Sequence, residues 1–189
     1  MFFSNRKFNY VYSLNNNSVK AIGSDVNLLD DCLEYNKFVS DLIDNQIVLE
    51  MMDYMQHGTT SCYQHCINVS YYSYKLAKKL NLDAKSTARA ALLHDLFLYD
   101  WHKTAKVKSL FKKHGFTHPK KALENASKYF HLNDKEKDII IKHMWPLTIV
   151  PPKYKESYIV SFMDKYCCLI ETFYPKFHKI HFLKKVSYL

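Results

Sequence analysis

Two polar residues, His94 and Asp95, stand side by side inside an apolar stretch that runs from Ala88 to Leu98. A stretch of this composition is buried in a folded domain, and a lone buried carboxylate costs several kcal/mol unless it is paired. The chain must therefore fold so that other side chains, or a cation, meet this doublet in the interior. Imidazole nitrogens and carboxylate oxygens are ordinary ligands of divalent metals. The doublet thus indicates a metal site, provided that the rest of the sequence supplies more ligands.

The remainder of the chain is patterned for helices. Apolar residues recur at helical spacing in successive segments, and the 189 residues include only 3 glycines, fewer than a turn-rich β fold uses. The length suits one domain with a genuine core. We therefore predict an all-α, single-domain bundle of about seven or eight helices over residues 25–189, preceded by an N-terminal extension over residues 1–24.

Local signals predict where the helices of the first half begin. Residues 25–56 carry apolar positions at helical spacing, which predicts one long helix or two broken ones. After a connection, Thr60 or Ser61 is suited to cap the next helix. Asp83 is suited to cap the helix after that, which is expected to continue through the doublet.

Prolines and an asparagine divide the second half in the same way. Pro119 is predicted at a first helical position, with His118 at or beside the cap. Asn133 is predicted to begin a helix that continues to Met144. A last long helix is expected over residues 154–173, because prolines bound it on both sides.

Charge and cysteine content limit the setting. The formal net charge is +9, which suits nucleic acid, an anionic membrane or a phosphorylated small molecule as a partner. The basic stretches at 103–113 and 176–185 are of a kind that is most often a solvated face. The 5 cysteines include no Cys-x-x-Cys pair, which favours buried thiols in a reducing compartment. No apolar run approaches the roughly 20 residues of a membrane span, and we expect a cytoplasmic protein without a membrane partner.

Four more side chains of ligating type fall at helix ends or on buried helix faces: His65, His118, His143 and Asp164. One metal centre where the helices converge would explain them together with the doublet. Each has a structural alternative. His65 and Asp164 could be core residues that bond to backbone groups or hydroxyls; His118 could be a helix cap, and His143 a partner of the helix dipole. His114, one turn before His118, could also reach the site.

The order and spacing of these residues resemble the H…HD…D signature of the HD-domain metal-dependent phosphohydrolases. The resemblance covers residues 56–173 and rests on the segments Thr60-Ser61-Cys62-Tyr63-Gln64-His65, Leu92-Leu93-His94-Asp95 and Asp164-Lys165-Tyr166. It implies an HD-type helical domain in which His65, His94, Asp95 and Asp164 hold a divalent metal. Some branches of the family bind two metals bridged by the aspartate of the doublet, and His118 and His143 resemble the two further histidines of those branches.

The resemblance also implies an activity. The expected reaction is hydrolysis of a phosphoester or phosphoanhydride by metal-activated water, with Asp95 as the catalytic residue that bridges or orients the nucleophile. The cofactor would be one or two ions of Fe, Mn, Mg, Zn, Co or Ni. A small one-domain pocket suits a nucleotide or a related phosphorylated metabolite as the substrate. The candidate phosphate-binding cations near the predicted ligands are Arg89, Lys120, Lys121 and Lys142.

Two other functions are compatible with the sequence. The first is a catalytically weak HD-fold protein that senses a nucleotide or a metal through an intact pocket. The doublet is followed by Leu96-Phe97-Leu98 rather than by the small residue and lysine common in several catalytic branches, so the resemblance does not indicate one specific substrate. The second is a basic helical nucleic-acid-binding protein, which would need a contiguous positive face and no metal.

Overall fold

The computed structural model describes residues 28–57, 60–100 and 114–173. Contacts divide the chain into two units, residues 1–38 and 39–189, and all the candidate ligands belong to the second unit. The predicted N-terminal extension, the basic stretch at 103–113 and the basic tail lie outside the described residues. Within them the all-α prediction is confirmed, with seven α-helices and only two short strands.

The bounds of the elements are as follows. The α-helices are α1 (Leu28–Ile43), α2 (Gln46–Leu49), α3 (Cys62–Lys79), α4 (Ala84–Leu93), α5 (His114–Tyr129), α6 (Asp134–Lys142) and α7 (Lys155–Phe173). A 3-10 turn at Glu50–Asp53 and an antiparallel pair of strands, β1 (Met55–His57) and β2 (Thr60–Ser61), connect α2 to α3. None of the helices in the described ranges is both long and apolar enough to cross a bilayer.

The end of the first predicted helical segment was wrong. Residues 25–56 read as helix up to Gln56, but the chain leaves the helix after Asp53 and forms β1 instead. The backbone N–H of Cys62 donates to the carbonyl of Tyr54 at 2.7 Å, so pairing with the chain that enters α3 replaces helical bonding here. This pairing brings the side chain of Gln56 into the interior, where it is 7% exposed.

Three predicted helix starts are confirmed by their caps. The side chains of Ser61, Asp83 and Asn133 each accept a hydrogen bond from the backbone N–H three residues later, at 3.2, 2.9 and 2.8 Å. At Asn133 the side chain of Glu136 also accepts from the backbone N–H of Asn133, at 2.9 Å, which completes a capping box. Each bond satisfies a backbone donor that the helix itself leaves unpaired.

Two helices end earlier than predicted. α4 ends at Leu93, so it does not continue through the doublet, and α6 ends at Lys142 rather than at Met144. In both, the histidine that follows turns its ring back onto the carbonyl three residues earlier: His94 Nδ1 lies 2.6 Å from the Ala91 oxygen, and His143 Nδ1 lies 2.8 Å from the Ile140 oxygen. The ring nitrogen thus bonds a carbonyl that the next helical N–H would otherwise use.

One helix begins earlier than predicted. α5 starts at His114 and contains Pro119 in its interior, so His118 is not its cap and that alternative was wrong. Pro119 has no N–H to donate to the carbonyl of Gly115, which costs this turn a hydrogen bond. Gly115 lies close to Leu147, since a Cβ on Gly115 would lie 3.2 Å from a methyl group of that side chain. The side chain of His114 lies outside the described part of the chain.

The core lies where four helices pack together. α3 packs against α4 and α7, while α6 lies against α4, α5 and α7. Side chains from all four line the interior without any exposed surface: Val69, Tyr74, Leu92, Leu93, Ile139, Ile140 and Val160. The predicted ligands come from these same helices and from α5, so the packing that forms the core also assembles the site.

Candidate metal centre

The six predicted ligands meet in one buried place. His65 comes from α3, His94 and Asp95 follow α4, His118 comes from α5, His143 follows α6 and Asp164 comes from α7. None of the six is more than 8% exposed. Five helices thus converge on a single cluster of imidazoles and carboxylates, as a helical bundle with a metal centre requires.

One part of the cluster joins His65, the doublet and Asp164. Asp164 Oδ1 lies 3.1 Å from His65 Nε2 and 3.7 Å from His94 Nε2. His94 Nε2 in turn lies 3.6 Å from Asp95 Oδ2. Ligand atoms of His65, His94 and Asp95 all lie within 4.8 Å of one another, which is the spacing of atoms that share a cation.

The other part of the cluster joins Asp95 to His118 and His143. Asp95 Oδ1 lies 3.2 Å from His118 Nε2 and 3.5 Å from His143 Nε2, and the two nitrogens lie 2.7 Å apart. The two oxygens of Asp95 therefore face different sets of histidines. Ligand atoms of Asp95, His118 and His143 also lie within 4.8 Å of one another.

Hydrogen bonds on the outer side fix three of the imidazoles. His65 Nδ1 lies 2.8 Å from Glu171 Oε2, while His94 and His143 use Nδ1 toward backbone carbonyls. Carbonyl oxygens accept and do not donate, and an ionised carboxylate likewise only accepts, so Nδ1 carries the hydrogen in each ring. When these rings are neutral, Nε2 is left with a lone pair that faces the centre, which is the form that binds a metal.

The donor set fits a divalent cation. His94 Nε2 and Asp95 Oδ1 are buried without a hydrogen-bond partner among the described residues, a costly state for polar atoms in an interior. The close Nε2 atoms of His118 and His143 cannot both present lone pairs to each other without repulsion. A cation accepts electron pairs from all of these atoms, and mixed imidazole and carboxylate donors suit first-row divalent metals.

The charges of the cluster are strongly coupled. Burial alone would raise the pKa of Asp95, but the imidazoles of His94, His118 and His143 hold it well below its usual range. Burial acts on Asp164 in the same way, but the hydrogen bond from His65 and the nearby imidazole of His94 hold the pKa of Asp164 well below its usual value. Both carboxylates are therefore ionised at neutral pH and attract cations.

The imidazoles divide into two kinds. Burial would lower the pKa of His65, but its hydrogen bonds to Asp164 and Glu171 raise that pKa well above the usual value. The pKa of His94 is also raised well above its usual value, because the attraction of Asp95 outweighs burial. Burial and the neighbouring His118 and His94 instead lower the pKa of His143 to about 3. His143 is therefore neutral at pH 7, which removes a charged interaction with the helix dipole as its role.

Comparison with known families agrees with this geometry. A family model described as HD domain matches residues 62–167, more than half of the chain. The chain belongs to the HD domain family. The residues of this chain that match the HD domain model include all six residues of the cluster. Neither a curated protein nor a solved structure matches the chain.

The predicted phosphate-binding residues are placed differently from one another. The guanidinium of Arg89 is directed to carboxylates: one nitrogen lies 2.9 Å from Asp41 Oδ2, and Nε lies 3.5 Å from Glu136 Oε1. Lys142 is half-buried at the last position of α6, beside His143. The guanidinium of Arg89 thus contacts two carboxylates, and Lys142 lies next to a residue of the cluster.

Lys120 and Lys121 line a shallow cavity of about 350 Å³, together with Tyr99, Thr117 and Glu124. The buried ring of Phe97 lies 5.1 Å from the ring of Tyr99 and 6.0 Å from that of His118. Phe97 therefore contacts both the lining of this cavity and the His118 side of the cluster.

Sequence reasoning missed three polar residues that contact the cluster. Gln56 Nε2 donates to Asp95 Oδ2, Glu171 contacts His65, and Lys165 Nζ donates to the carbonyl of His143 at 3.0 Å. Glu171 could have been found, because it follows Asp164 by seven residues, two helical turns on the same face. Gln56 carries no such signal, since it reaches the site through a strand that the apolar pattern did not predict.

Proposed function

We propose that this HD domain is a metal-dependent phosphohydrolase that acts on a nucleotide or another small phosphorylated metabolite. The observation that carries the proposal is the position of Asp95, whose two oxygens face two separate sets of buried imidazoles. In a buried polar cluster that only stabilises a fold, the polar atoms are usually all hydrogen-bonded. Two buried ligand atoms without hydrogen-bond partners are expected instead at a site that binds a cation next to a phosphoryl group.

The proposed roles follow from the geometry. His65, His94, Asp95 and Asp164 would hold one divalent cation, and Asp95, His118 and His143 would hold a second. Metal at these positions would polarise a phosphoryl oxygen and acidify the attacking water. Asp95 stays ionised between its imidazoles and orients that water toward the phosphorus atom.

The substrate class rests on the cavity beside His118. Lys120 and Lys121 offer ammonium groups that can neutralise phosphate charge, and the ring of Tyr99 offers an aromatic surface for the rest of a small molecule. The cavity volume of about 350 Å³ is within the range of small-ligand sites. A small phosphorylated compound is therefore the partner that we propose.

The test is phosphate release by the purified chain loaded with Mn²⁺ or Fe²⁺, over a panel of nucleotides and an aryl phosphate. Asp95→Asn should lower kcat/KM at least about a hundredfold, since it removes a charge that acts on the reacting centre. Asp134→Asn is the matched control, because that carboxylate is 88% exposed at the start of α6, and it should leave the rate unchanged.

The other outcomes are also informative. Metal and nucleotide binding without phosphate release, under every metal tried, would overturn the phosphohydrolase proposal in favour of a sensor. A wild-type chain that takes up no metal would overturn both. Equal rates for Asp95→Asn and the wild type would place the activity outside this site.

A further inference from the structure

His65 is held differently from the other fixed imidazoles of the cluster. Its Nδ1 lies 2.8 Å from the carboxylate of Glu171, whereas His94 and His143 use Nδ1 toward neutral backbone carbonyls. The side chain of Glu171 is only 8% exposed and that of His65 is fully buried. Their contact is therefore shielded from water, where a charged hydrogen bond is strongest.

A chain of hydrogen bonds keeps the carboxylate of Glu171 in place. Its second oxygen, Oε1, accepts from Asn68 Nδ2 at 2.8 Å. Asn68 Oδ1 accepts in turn from Gln64 Nε2 at 2.9 Å. Gln64 and Asn68 lie on α3, as does His65, while Glu171 lies on the last turn of α7. The network thus ties two helices together directly behind the imidazole.

This network acts on the nitrogen that faces the centre. A carboxylate on Nδ1–H fixes the tautomer and the rotation of an imidazole and makes the opposite nitrogen a better electron donor. That opposite nitrogen, His65 Nε2, lies 3.1 Å from Asp164 Oδ1. Glu171 itself lies beyond the range 62–167 that the family model covers.

We propose that Glu171 is a positioning residue of the metal centre. It holds His65 with Nε2 toward the site and thereby strengthens cation binding by His65, His94, Asp95 and Asp164. Glu171 thus acts on the His65 side of the centre. The inference rests on the metal site of the proposed function.

The test is a titration of the metal-free chain with Mn²⁺. Binding is measured by calorimetry and by the electron paramagnetic resonance signal of free Mn²⁺. Glu171→Gln keeps the size of the side chain but can satisfy only one of its two donors. It should weaken Mn²⁺ binding on the His65 side by about tenfold to a hundredfold. Glu50→Gln, at an exposed position, is the matched control and should bind as the wild type does.

A double-mutant comparison separates positioning from a general structural role. If Glu171 acts through His65, then His65→Ala and the double variant His65→Ala/Glu171→Gln should have the same Mn²⁺ affinity. Additive losses, or wild-type affinity in Glu171→Gln, would overturn the proposal. If Glu171→Gln does not fold, Asn68→Ala tests the same network: a several-fold loss of affinity is expected, and wild-type affinity would overturn the proposal. A wild-type chain that binds no Mn²⁺ would instead mean that the proposed metal site fails.

Discussion

Cation binding should release protons from the centre, because an imidazole nitrogen that binds the cation must first lose its proton. In the metal-free chain the surrounding carboxylates overcome burial and raise the pKa of His65 and His94 well above the usual value, so both rings are charged at pH 7. Only a neutral imidazole binds a metal. We therefore expect about two protons to leave for each cation bound on the His65 side. His143 should contribute none, since burial and its neighbours lower its pKa to about 3.

The magnitude follows from the proton count. One proton exchanged contributes about 1.4 kcal/mol per pH unit, so two make the apparent affinity rise about a hundredfold per pH unit. The effect continues up to the raised pKa values of His65 and His94. The free energy of unfolding of the metal-free chain should change with pH in the opposite direction. A histidine whose pKa is raised by folding stabilises the folded chain fully at a pH below the pKa of the unfolded state, about 6.5. This stabilisation is lost as the pH rises through the pKa of the folded state.

The assay is calorimetric titration with Mn²⁺ at pH 7 in buffers that differ in ionisation enthalpy. The slope of the observed enthalpy against the buffer enthalpy gives the number of protons released. His65→Ala should lower that number by about one, because one charged ring is gone, and His143→Ala should not change it. A slope of zero in the wild type would refute the reasoning, since it would mean that both imidazoles are already neutral.

Three further substitutions test the structure around the site. Asn133→Ala removes the cap of α6 and should lower the free energy of unfolding by about 1 kcal/mol, measured by thermal denaturation. Arg89→Ala should lower it by about 1 kcal/mol and leave KM for phosphorylated substrates unchanged; a raised KM would restore a phosphate-binding role. Lys165→Met removes the donor to the His143 carbonyl and should cost about 1 kcal/mol, and an unchanged urea midpoint would show that this bond contributes nothing.

The sequence predicted the helix starts well because a start is decided locally. Ser61, Asp83 and Asn133 each bond to a backbone group three residues away, so the information lies within one turn. The start of α5 was wrong because it was predicted from the preference of proline for a first helical position. That preference is statistical, and Pro119 instead lies inside the helix.

The ligands themselves were predictable because their residue types conflict with their surroundings. An imidazole or a carboxylate among apolar residues needs a partner, and six such residues from five helices indicate a shared one. The contacts of Gln56 and Lys165 could not be predicted in this way. Neither is out of place in its own segment, and each is identified only by what it touches: Asp95 in one case and the carbonyl of His143 in the other.

The two residues of the doublet serve one centre through different directions and atoms. Neighbours within an α-helix point about 100° apart, and His94 at the end of α4 keeps helical dihedral angles. The ring of His94 is fixed by its bond to the Ala91 carbonyl. Asp95 then presents Oδ2 to His94 and Oδ1 to His118 and His143. The apolar stretch buries the doublet, and the two oxygens of Asp95 join the imidazoles on both of its sides into one cluster.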